Sequence, residues 1–161
     1  MSRTTTSHWV AALSLTLLLF GYPGPLQASE GGPILIVVSA ESPLTDISMA
    51  DLRRAFLGED VNLNGKRIVP FSQALGSIAR VDFDQAVLKL EPEHVGKFWI
   101  DRRIRDQSPP PRSVPTETLA IKVAASLPNA LTYIAAGSLN NRLKALTIDG
   151  HGPSDPNYPL R

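Results

Sequence analysis

The chain has 161 residues, a length typical of one domain, and its 16 basic and 15 acidic residues leave a formal net charge of +1. This balance argues against nonspecific binding to nucleic acid or to an anionic membrane, because both depend on excess positive charge. The sequence contains no cysteine, which excludes a disulfide framework, a cysteine nucleophile and a lipid anchor on an N-terminal cysteine.

The N-terminus has the pattern of a secretory signal peptide. Arg3 precedes an apolar stretch, Trp9 to Phe20, and Ala28 is a small residue at the expected cleavage position. The apolar stretch is shorter than the roughly 20 residues that a membrane span needs. We therefore predict a signal peptide over residues 1–28, followed by a soluble periplasmic protein with no membrane insertion and no lipid anchor.

The predicted secondary structure begins with a strand and a helix. The continuous apolar run Ile34–Val38 predicts a strand buried on both faces. Ser48 is a typical N-cap and Asp51 a capping partner, so a helix is expected over about Met49–Leu57. Gly58 is expected to end this helix in the left-handed conformation. The expected buried side chains of the helix are Leu52, Ala55 and Phe56.

The next segment combines a turn, a strand and a helix start. Asn64-Gly65 predicts a tight hairpin turn, which leads into a short strand over Ile68–Phe71. After a polar loop, Gly76-Ser77 is expected to open a helix. Its apolar residues at helical spacing are Phe83, Val87 and Leu90. A strand, a loop of small residues and a helix N-terminus together form a common arrangement for holding an anion.

Two further helices are predicted downstream. Pro92 suits the first position of a helix that continues to about Arg105 and buries Val95, Phe98 and Trp99. The charges of alternating sign near its end are typical of a solvated face. A proline-rich stretch over residues 108–112 is expected to be a stiff linker. The helix after the linker, over Thr116–Ser126, carries an apolar stripe formed by Leu119, Val123 and Leu127, with Ala120 and Ala124 beside it.

Two strands and a tail complete the predicted order. Short apolar strands are expected over Ala130–Ile134 and Leu143–Ile148, and residues 151–161 are expected to form a loose, flexible tail. The order of elements predicts an α/β fold, with a small mixed sheet of about four strands flanked by helices.

Motifs for catalysis are missing from the sequence. It has no H-E-x-x-H, no G-x-S-x-G, no P-loop and no dinucleotide-binding fingerprint. The two histidines after the signal peptide, His94 and His151, are far apart, and no carboxylate cluster has metal-ligand spacing. We therefore predict a protein that is not an enzyme and that carries no metal and no cofactor.

The candidate binding site is the start of the helix at Gly76. Glycine lets the backbone approach a ligand, and Ser77 can offer a hydroxyl. The N–H groups of Ser77, Ile78 and Ala79 are expected to point at a bound anion, and Arg80 adds a guanidinium that can grip an oxyanion. The alternative from these residues alone is an ordinary capped helix start without a ligand.

Taken together, these segments resemble the phosphate-binding-protein-like group of periplasmic solute-binding proteins of phosphate ABC transporters. The resemblance covers nearly all of residues 34–148. The segments that carry it are I-L-I-V-V-S-A from Ile34, S-M-A-D-L-R-R-A-F-L-G at Ser48–Gly58, N-G-K-R-I-V-P at Asn64–Pro70, G-S-I-A-R-V-D-F at Gly76–Phe83, F-W at Phe98-Trp99, P-P-R at Pro110–Arg112 and P-N-A-L-T-Y-I at Pro128–Ile134.

The resemblance implies a type II periplasmic-binding-protein fold, whose full-length members close two α/β lobes on phosphate. The serine of the family's Ser-Gly-Thr phosphate grip matches Ser77, whereas Ile78 and Ala79 replace the Gly-Thr. The arginine that precedes the grip falls near Ser72 and is absent here. A later G-x-I-G-Y motif reads N-A-L-T-Y and ends at Tyr133. The chain is long enough for about one lobe.

We therefore predict a single-lobe, solute-binding-like domain over residues 29–150 that binds phosphate or a similar oxyanion weakly. The predicted ligand-binding residues are Ser72, Gly76, Ser77, Ile78 and Arg80. A second lobe would come from a homodimer or from another periplasmic protein. The alternative is a periplasmic interaction or scaffold protein that has lost ligand binding and acts through a protein partner.

Overall fold

A computed structural model describes residues 32–106 and 109–161, so the predicted signal peptide lies outside the described residues. The strands are β1 Ile34–Ser39, β2 Asp46–Ile47, β3 Asn62–Leu63, β4 Lys66–Arg67, β5 Val69–Gln73, β6 Arg112–Val114, β7 Ala130–Ala135, β8 Leu143–Ala145 and β9 Thr147–Ile148. The helices are α1 Met49–Phe56, α2 Ile78–Phe83, α3 Pro92–Asp106 and α4 Glu117–Ser126. Within these ranges, none of the helices has the length and apolarity needed to cross a bilayer.

Five strands form the main sheet, in the order β6-β5-β7-β1-β8. Strand β5 pairs in parallel with β6 and β7, whereas β1 pairs antiparallel with β7 and β8. The predicted α/β fold with a small mixed sheet is therefore confirmed. The predicted linker over residues 108–112 is wrong at Arg112, which begins the edge strand β6. Pairing with β5 satisfies the backbone hydrogen-bonding groups of this strand.

The predicted last strand is divided between two sheets. Its first part, β8, pairs with β1 in the main sheet, whereas β9 pairs in parallel with β2. Between the two strands, the Leu146 N–H donates to the carbonyl oxygen of Ile36 at 2.8 Å, and the Leu146 side chain is fully buried. The continuous apolar pattern does not reveal that the chain changes its pairing partner at this point.

Local signals for helix ends and turns are confirmed. The Ser48 hydroxyl accepts the Asp51 N–H at 3.0 Å and lies 2.9 Å from the Asp51 carboxylate, so the predicted capping pair forms at the start of α1. Gly58 has a φ of 82° just after the end of this helix. Asn64 and Gly65 have φ values of 51° and 74° and connect β3 to β4, as a hairpin turn of this sequence requires.

Helix α2 continues directly into a π-helical turn, Asp84–Leu88, and its aromatic residue lies at the centre of the core. The Phe83 ring stacks on Tyr133 of β7, with centroids 4.1 Å apart, and contacts Phe56 of α1 at 4.5 Å. All three side chains are fully buried. This aromatic cluster holds two helices against the central strand of the sheet.

Helix α4 packs on the sheet through a different face from the one predicted. Ala120 and Ala124 are fully buried, whereas Leu119 and Leu127 of the predicted stripe are exposed. Small side chains on the buried face let the helix backbone approach the sheet closely. The expectation that Leu119 and Leu127 face the core is therefore wrong, whereas Val123 of the predicted stripe is partly buried against the cluster around Phe71.

The C-terminal segment packs against the core, which differs from the expected loose tail. Tyr158 and Leu160 are buried. The Ile34 N–H donates to the Leu160 carbonyl oxygen at 2.9 Å, so the segment is bonded to the first residue of β1. Tyr158 and Leu160 alternate around Pro159, and no nearby residue signals their burial, because it depends on a strand more than 120 residues away.

We expect Leu160→Ala to lower the free energy of unfolding by about 2–5 kcal/mol, because the substitution leaves a cavity in the core. Leu139→Ala is the matched control, since Leu139 is exposed; its effect should stay within about 0.5 kcal/mol. Chemical denaturation of the three proteins measures both values. Equal effects of the two substitutions would contradict the packing of the C-terminal segment.

Candidate functional site

The candidate site lies where the parallel strand β5 ends. In open α/β sheets, ligands commonly bind beyond the carboxyl ends of the parallel strands. Strand β5 ends at Gln73, and a four-residue loop leads to α2. Gly76 in this loop has a φ of 82°, which favours glycine, although a Cβ there would meet no other atom within 4 Å.

Ser77 is the N-cap residue of α2, but its side chain makes no capping hydrogen bond. Its hydroxyl is buried and without a hydrogen-bond partner among the described residues. The Ser77 N–H, predicted to face an anion, donates instead to the Ala74 carbonyl oxygen at 3.2 Å. The first helical bond comes from the Arg80 N–H, so the N–H groups of Ile78 and Ala79 precede it and have no partner within the helix.

Arg80 is buried and is already engaged in an ion pair. Its Nε donates to Asp84 Oδ2 at 2.6 Å, and its Nη1 donates to the Gln73 carbonyl oxygen at 3.3 Å. The predicted role of Arg80 as a donor to an oxyanion did not include its bond to Asp84. The spacing of four residues on a helix was the available signal for this pair.

Asp84 keeps one acceptor atom unused. Its Oδ1 is buried and without a hydrogen-bond partner within the described ranges, although Oδ2 accepts from Arg80. Burial raises the pKa of Asp84, and the hydrogen bond from Arg80 opposes this rise. A buried carboxylate oxygen without a donor is costly, and it would favour a ligand that brings an N–H or O–H group.

Gln73 connects this ion pair to three strands of the sheet. Its N–H donates to the Tyr133 hydroxyl at 3.1 Å, and its side-chain amide donates to the Tyr133 carbonyl oxygen at 3.0 Å. The Ser113 hydroxyl of β6 donates to the Gln73 carbonyl oxygen at 3.3 Å. The polar network therefore fixes the end of β5, from which the candidate loop departs.

The two remaining predicted residues lie outside this loop or point away from it. Ser72 is a buried residue of β5, and its side chain slightly opposes the rise in the pKa of Tyr133. The Ile78 side chain is 61% exposed, so only its backbone N–H is suited to binding an anion. The structure thus brings together Gly76, Ser77 and Arg80.

A cavity of about 360 Å³ lies between α2 and the first turns of α3. Its volume falls in the range of about 300–1,000 Å³ that is typical of small-molecule sites. Arg80, Asp84 and Glu93 are its charged lining residues, and Gly76 and Gly96 contribute backbone to its wall. The cavity is small and open to solvent, and the remaining lining residues are mostly apolar.

Comparisons with solved structures identify the fold. One match is an ABC-type phosphate transport receptor from Vibrio cholerae, with a TM-score of 0.63 and 17% identity. The aligned region covers 80% of this chain and 52% of the receptor chain. Another is described as a phosphate ABC transporter substrate-binding protein with bound phosphate, from Clostridium perfringens, with a TM-score of 0.59 and 18% identity. This alignment covers 74% of this chain and 46% of the Clostridium perfringens chain. A third is PstS from Borrelia burgdorferi, with a TM-score of 0.57 and 16% identity. The alignment covers 76% of this chain and 49% of PstS.

The chain has the fold of phosphate ABC transporter substrate-binding proteins. It spans about half the length of these structures, which agrees with the predicted single-lobe form. The resemblance inferred from the sequence motifs is therefore confirmed for the fold. The sequence itself matches no protein-family model, and no curated protein is significantly similar to it.

We expect Arg80→Met to lower the free energy of unfolding by about 3–5 kcal/mol, because it leaves the Asp84 carboxylate buried without its cation. Arg54→Met is the matched control: Arg54 pairs with Asp51 and Glu59 on an exposed surface, where water screens the pairs, so its effect should be much smaller. Denaturant titration measures both effects. A loss below about 1 kcal/mol for Arg80→Met would contradict the buried pair.

Burial raises the pKa of Tyr133 to about 12, opposed by the charge of Arg80 and the hydrogen bond from Gln73. Between pH 10 and pH 12 the folded protein therefore keeps the phenol neutral while the unfolded chain releases its proton. The free energy of unfolding should fall by roughly 3 kcal/mol across this range. Tyr133→Phe should lack this part of the fall, and a variant with an unchanged fall would contradict the assignment.

Proposed function

We propose that the chain is a periplasmic solute-binding-like module that holds phosphate weakly in the cavity beside Gly76. The observation that carries the proposal is the buried Arg80–Asp84 pair, which lines this cavity together with Gly76 of the loop that leads into α2. The Clostridium perfringens structure with the same fold contains bound phosphate. The predicted signal peptide supports a periplasmic location.

The donors around the cavity suit an oxyanion. The Arg80 guanidinium lines the cavity and can donate to anionic oxygens. The Ser77 hydroxyl and the N–H groups of Ile78 and Ala79 belong to the adjoining start of α2 and can donate to an anion that reaches them. Hydrogen bonds to a charged group contribute about 1.5–3 kcal/mol each. A minor rearrangement that moves one Arg80 N–H from the Gln73 carbonyl to the ligand would add a charge-assisted bond.

Asp84 gives the proposed site a means of selection. Its free Oδ1 can only accept a hydrogen bond while the carboxyl is ionised. Phosphate keeps at least one O–H group near neutral pH, whereas sulfate keeps none. A sulfate ion would therefore face the carboxylate without a proton between them, so the site should favour phosphate.

The same charges limit the affinity. Asp84 and Glu93 both face the cavity, whereas Arg80 is its one lining cation among the described residues, so the local charge opposes an anion. Association alone costs at least about 4 kcal/mol, and the open cavity leaves the ligand partly hydrated. A dissociation constant in the millimolar range, about 4 kcal/mol of binding free energy, is the expected result.

Binding rather than catalysis also agrees with the neighbours, which are described as a transport receptor and substrate-binding proteins. A second candidate function is interaction with a periplasmic protein. The Leu75 and Ile78 side chains, exposed by 70% and 61%, flank the candidate loop and favour a protein that covers it. Under this alternative, the cavity would bind no anion, and the loop would be a contact surface.

Isothermal titration of the purified protein at neutral pH with phosphate and with sulfate tests the proposal. We expect millimolar binding of phosphate and at least about tenfold weaker binding of sulfate, the equivalent of about 1.4 kcal/mol. Asp84→Asn should remove this preference, because an amide can donate to either anion. Ser77→Ala should weaken phosphate binding, whereas Ser126→Ala, on the exposed end of α4, should not.

The proposal has a clear negative outcome. No heat and no thermal stabilisation at millimolar phosphate would overturn it and leave the interaction function as the better candidate. Equal affinity for the two anions in the unmodified protein would contradict the role of Asp84 while leaving the donor set in place.

A further inference from the structure

The cavity between α2 and α3 is lined by more negative than positive side chains. Its charged lining residues are Arg80, Asp84 and Glu93, one cation and two anions. Arg80 and Asp84 neutralise each other in their buried ion pair. The charge of Glu93 therefore remains unbalanced in the cavity wall, where it opposes an anion and attracts a cationic group.

Glu93 is the carboxylate of this cavity that is accessible to a ligand. It is an exposed residue in the first turn of α3. Its side chain forms no hydrogen bond or ion pair with another residue in the part of the chain that the structure describes. The Glu93 carboxylate can therefore accept hydrogen bonds from a ligand without giving up a bond within the protein.

Asp84 favours the same kind of ligand. Its side chain is almost completely buried, and Oδ1 accepts no hydrogen bond from any described residue. A buried acceptor without a donor is costly, and a ligand that brings N–H groups to Asp84 would remove this cost. A protonated amine carries three N–H donors and can therefore serve more than one carboxylate at once.

Arg80 still has donors for a negatively charged group on the same ligand. A guanidinium carries five N–H groups. The Nε of Arg80 donates to Asp84 and its Nη1 donates to the Gln73 carbonyl oxygen, and Nη2 takes part in neither bond. Because Arg80 lines the cavity, a carboxylate bound there can accept charge-assisted hydrogen bonds from it.

The rest of the cavity wall is suited to an apolar group. Four of its lining residues have apolar side chains: Leu75, Val81, Pro92 and Val95. Inorganic phosphate has no apolar part, so it would leave these side chains in contact with water. An aliphatic group of the ligand would cover them and gain hydrophobic stabilisation.

We propose that this cavity binds an α-amino acid with an aliphatic side chain, such as leucine. Arg80 holds the carboxylate of the ligand, Glu93 and Asp84 hold its ammonium group, and its side chain lies against Leu75 and Val81. The ligand has no net charge, so it avoids the repulsion that weakens the binding of an anion. The inference uses the cavity of the proposed function but does not require that phosphate binds there.

Isothermal titration of the purified protein with L-leucine at neutral pH tests the proposal. We expect saturable binding of leucine. Isocaproate lacks the ammonium group and isopentylamine lacks the carboxylate, so each should bind at least about tenfold more weakly than leucine. Glycine keeps both charged groups but has no aliphatic side chain, and it should also bind more weakly.

Glu93→Gln separates the two ligands of the cavity. This variant should weaken leucine binding at least about tenfold, because the ammonium group loses a charged partner. It should not weaken phosphate binding, since it removes a negative charge that opposes the anion. Glu41→Gln is the matched control: Glu41 is exposed and lies outside the lining of the cavity, so the affinities for both ligands should stay unchanged.

Four outcomes would each overturn the proposal. They are the absence of leucine binding, an analogue with one charged group that binds as tightly as leucine, glycine that binds as tightly as leucine, and an unchanged leucine affinity in Glu93→Gln. A separate titration with phosphate tests the proposed function. Leucine binding without phosphate binding would therefore support the amino-acid site while overturning the phosphate site.

Discussion

The buried ion pair between Arg80 and Asp84 is the interaction on which the candidate site depends. Burial of two charges carries a large desolvation cost, which is offset only when their remaining hydrogen bonds are satisfied. Arg80 satisfies this condition by donating both to Asp84 and to the Gln73 carbonyl oxygen. Asp84 satisfies it only in part, because Oδ1 has no donor among the described residues. The pair thus holds helix α2 against the sheet and leaves one buried acceptor of Asp84 unused.

Gln73 connects the Arg80–Asp84 ion pair to the sheet through hydrogen bonds. Because its backbone and side chain bond to Tyr133, Ser113 and Arg80, the end of β5 has little freedom to move. The Tyr133 ring in turn stacks on Phe83 at the end of α2. The loop that begins the helix is therefore fixed at both ends, and its free N–H groups are preorganised. Preorganised donors lose less conformational entropy when a ligand binds.

Local sequence signals predicted the parts of the fold that local chemistry determines. Ser48 with Asp51, Gly58, and Asn64-Gly65 each specify a cap or turn through hydrogen bonds and φ values within a few residues, and the structure confirms each of them. Apolar runs located β1 and β7 for a similar reason, because continuous burial requires continuous apolar side chains.

The features that escaped prediction depend on distant partners. Strand β6 forms because Arg112 lies beside Phe71, about 40 residues earlier in the chain, and no signal near the proline-rich stretch encodes that pairing. Burial of Leu160 similarly requires β1. At the candidate site, the spacing of Arg80 and Asp84 was visible in the sequence. Their burial was not, and burial is what changes a surface ion pair into a structural one.

The cavity beside Gly76 and the isoleucines of α3 are both in contact with water, since the cavity is open and Ile100 and Ile104 are exposed. Water screens the attraction between an anion and Arg80, and it also makes exposed isoleucines unfavourable. A protein surface that covered α3 beside Gly96 would lower both costs together, because Gly96 lies in the cavity wall. Association and anion binding would then stabilise each other, since a ligand favours whichever state binds it better.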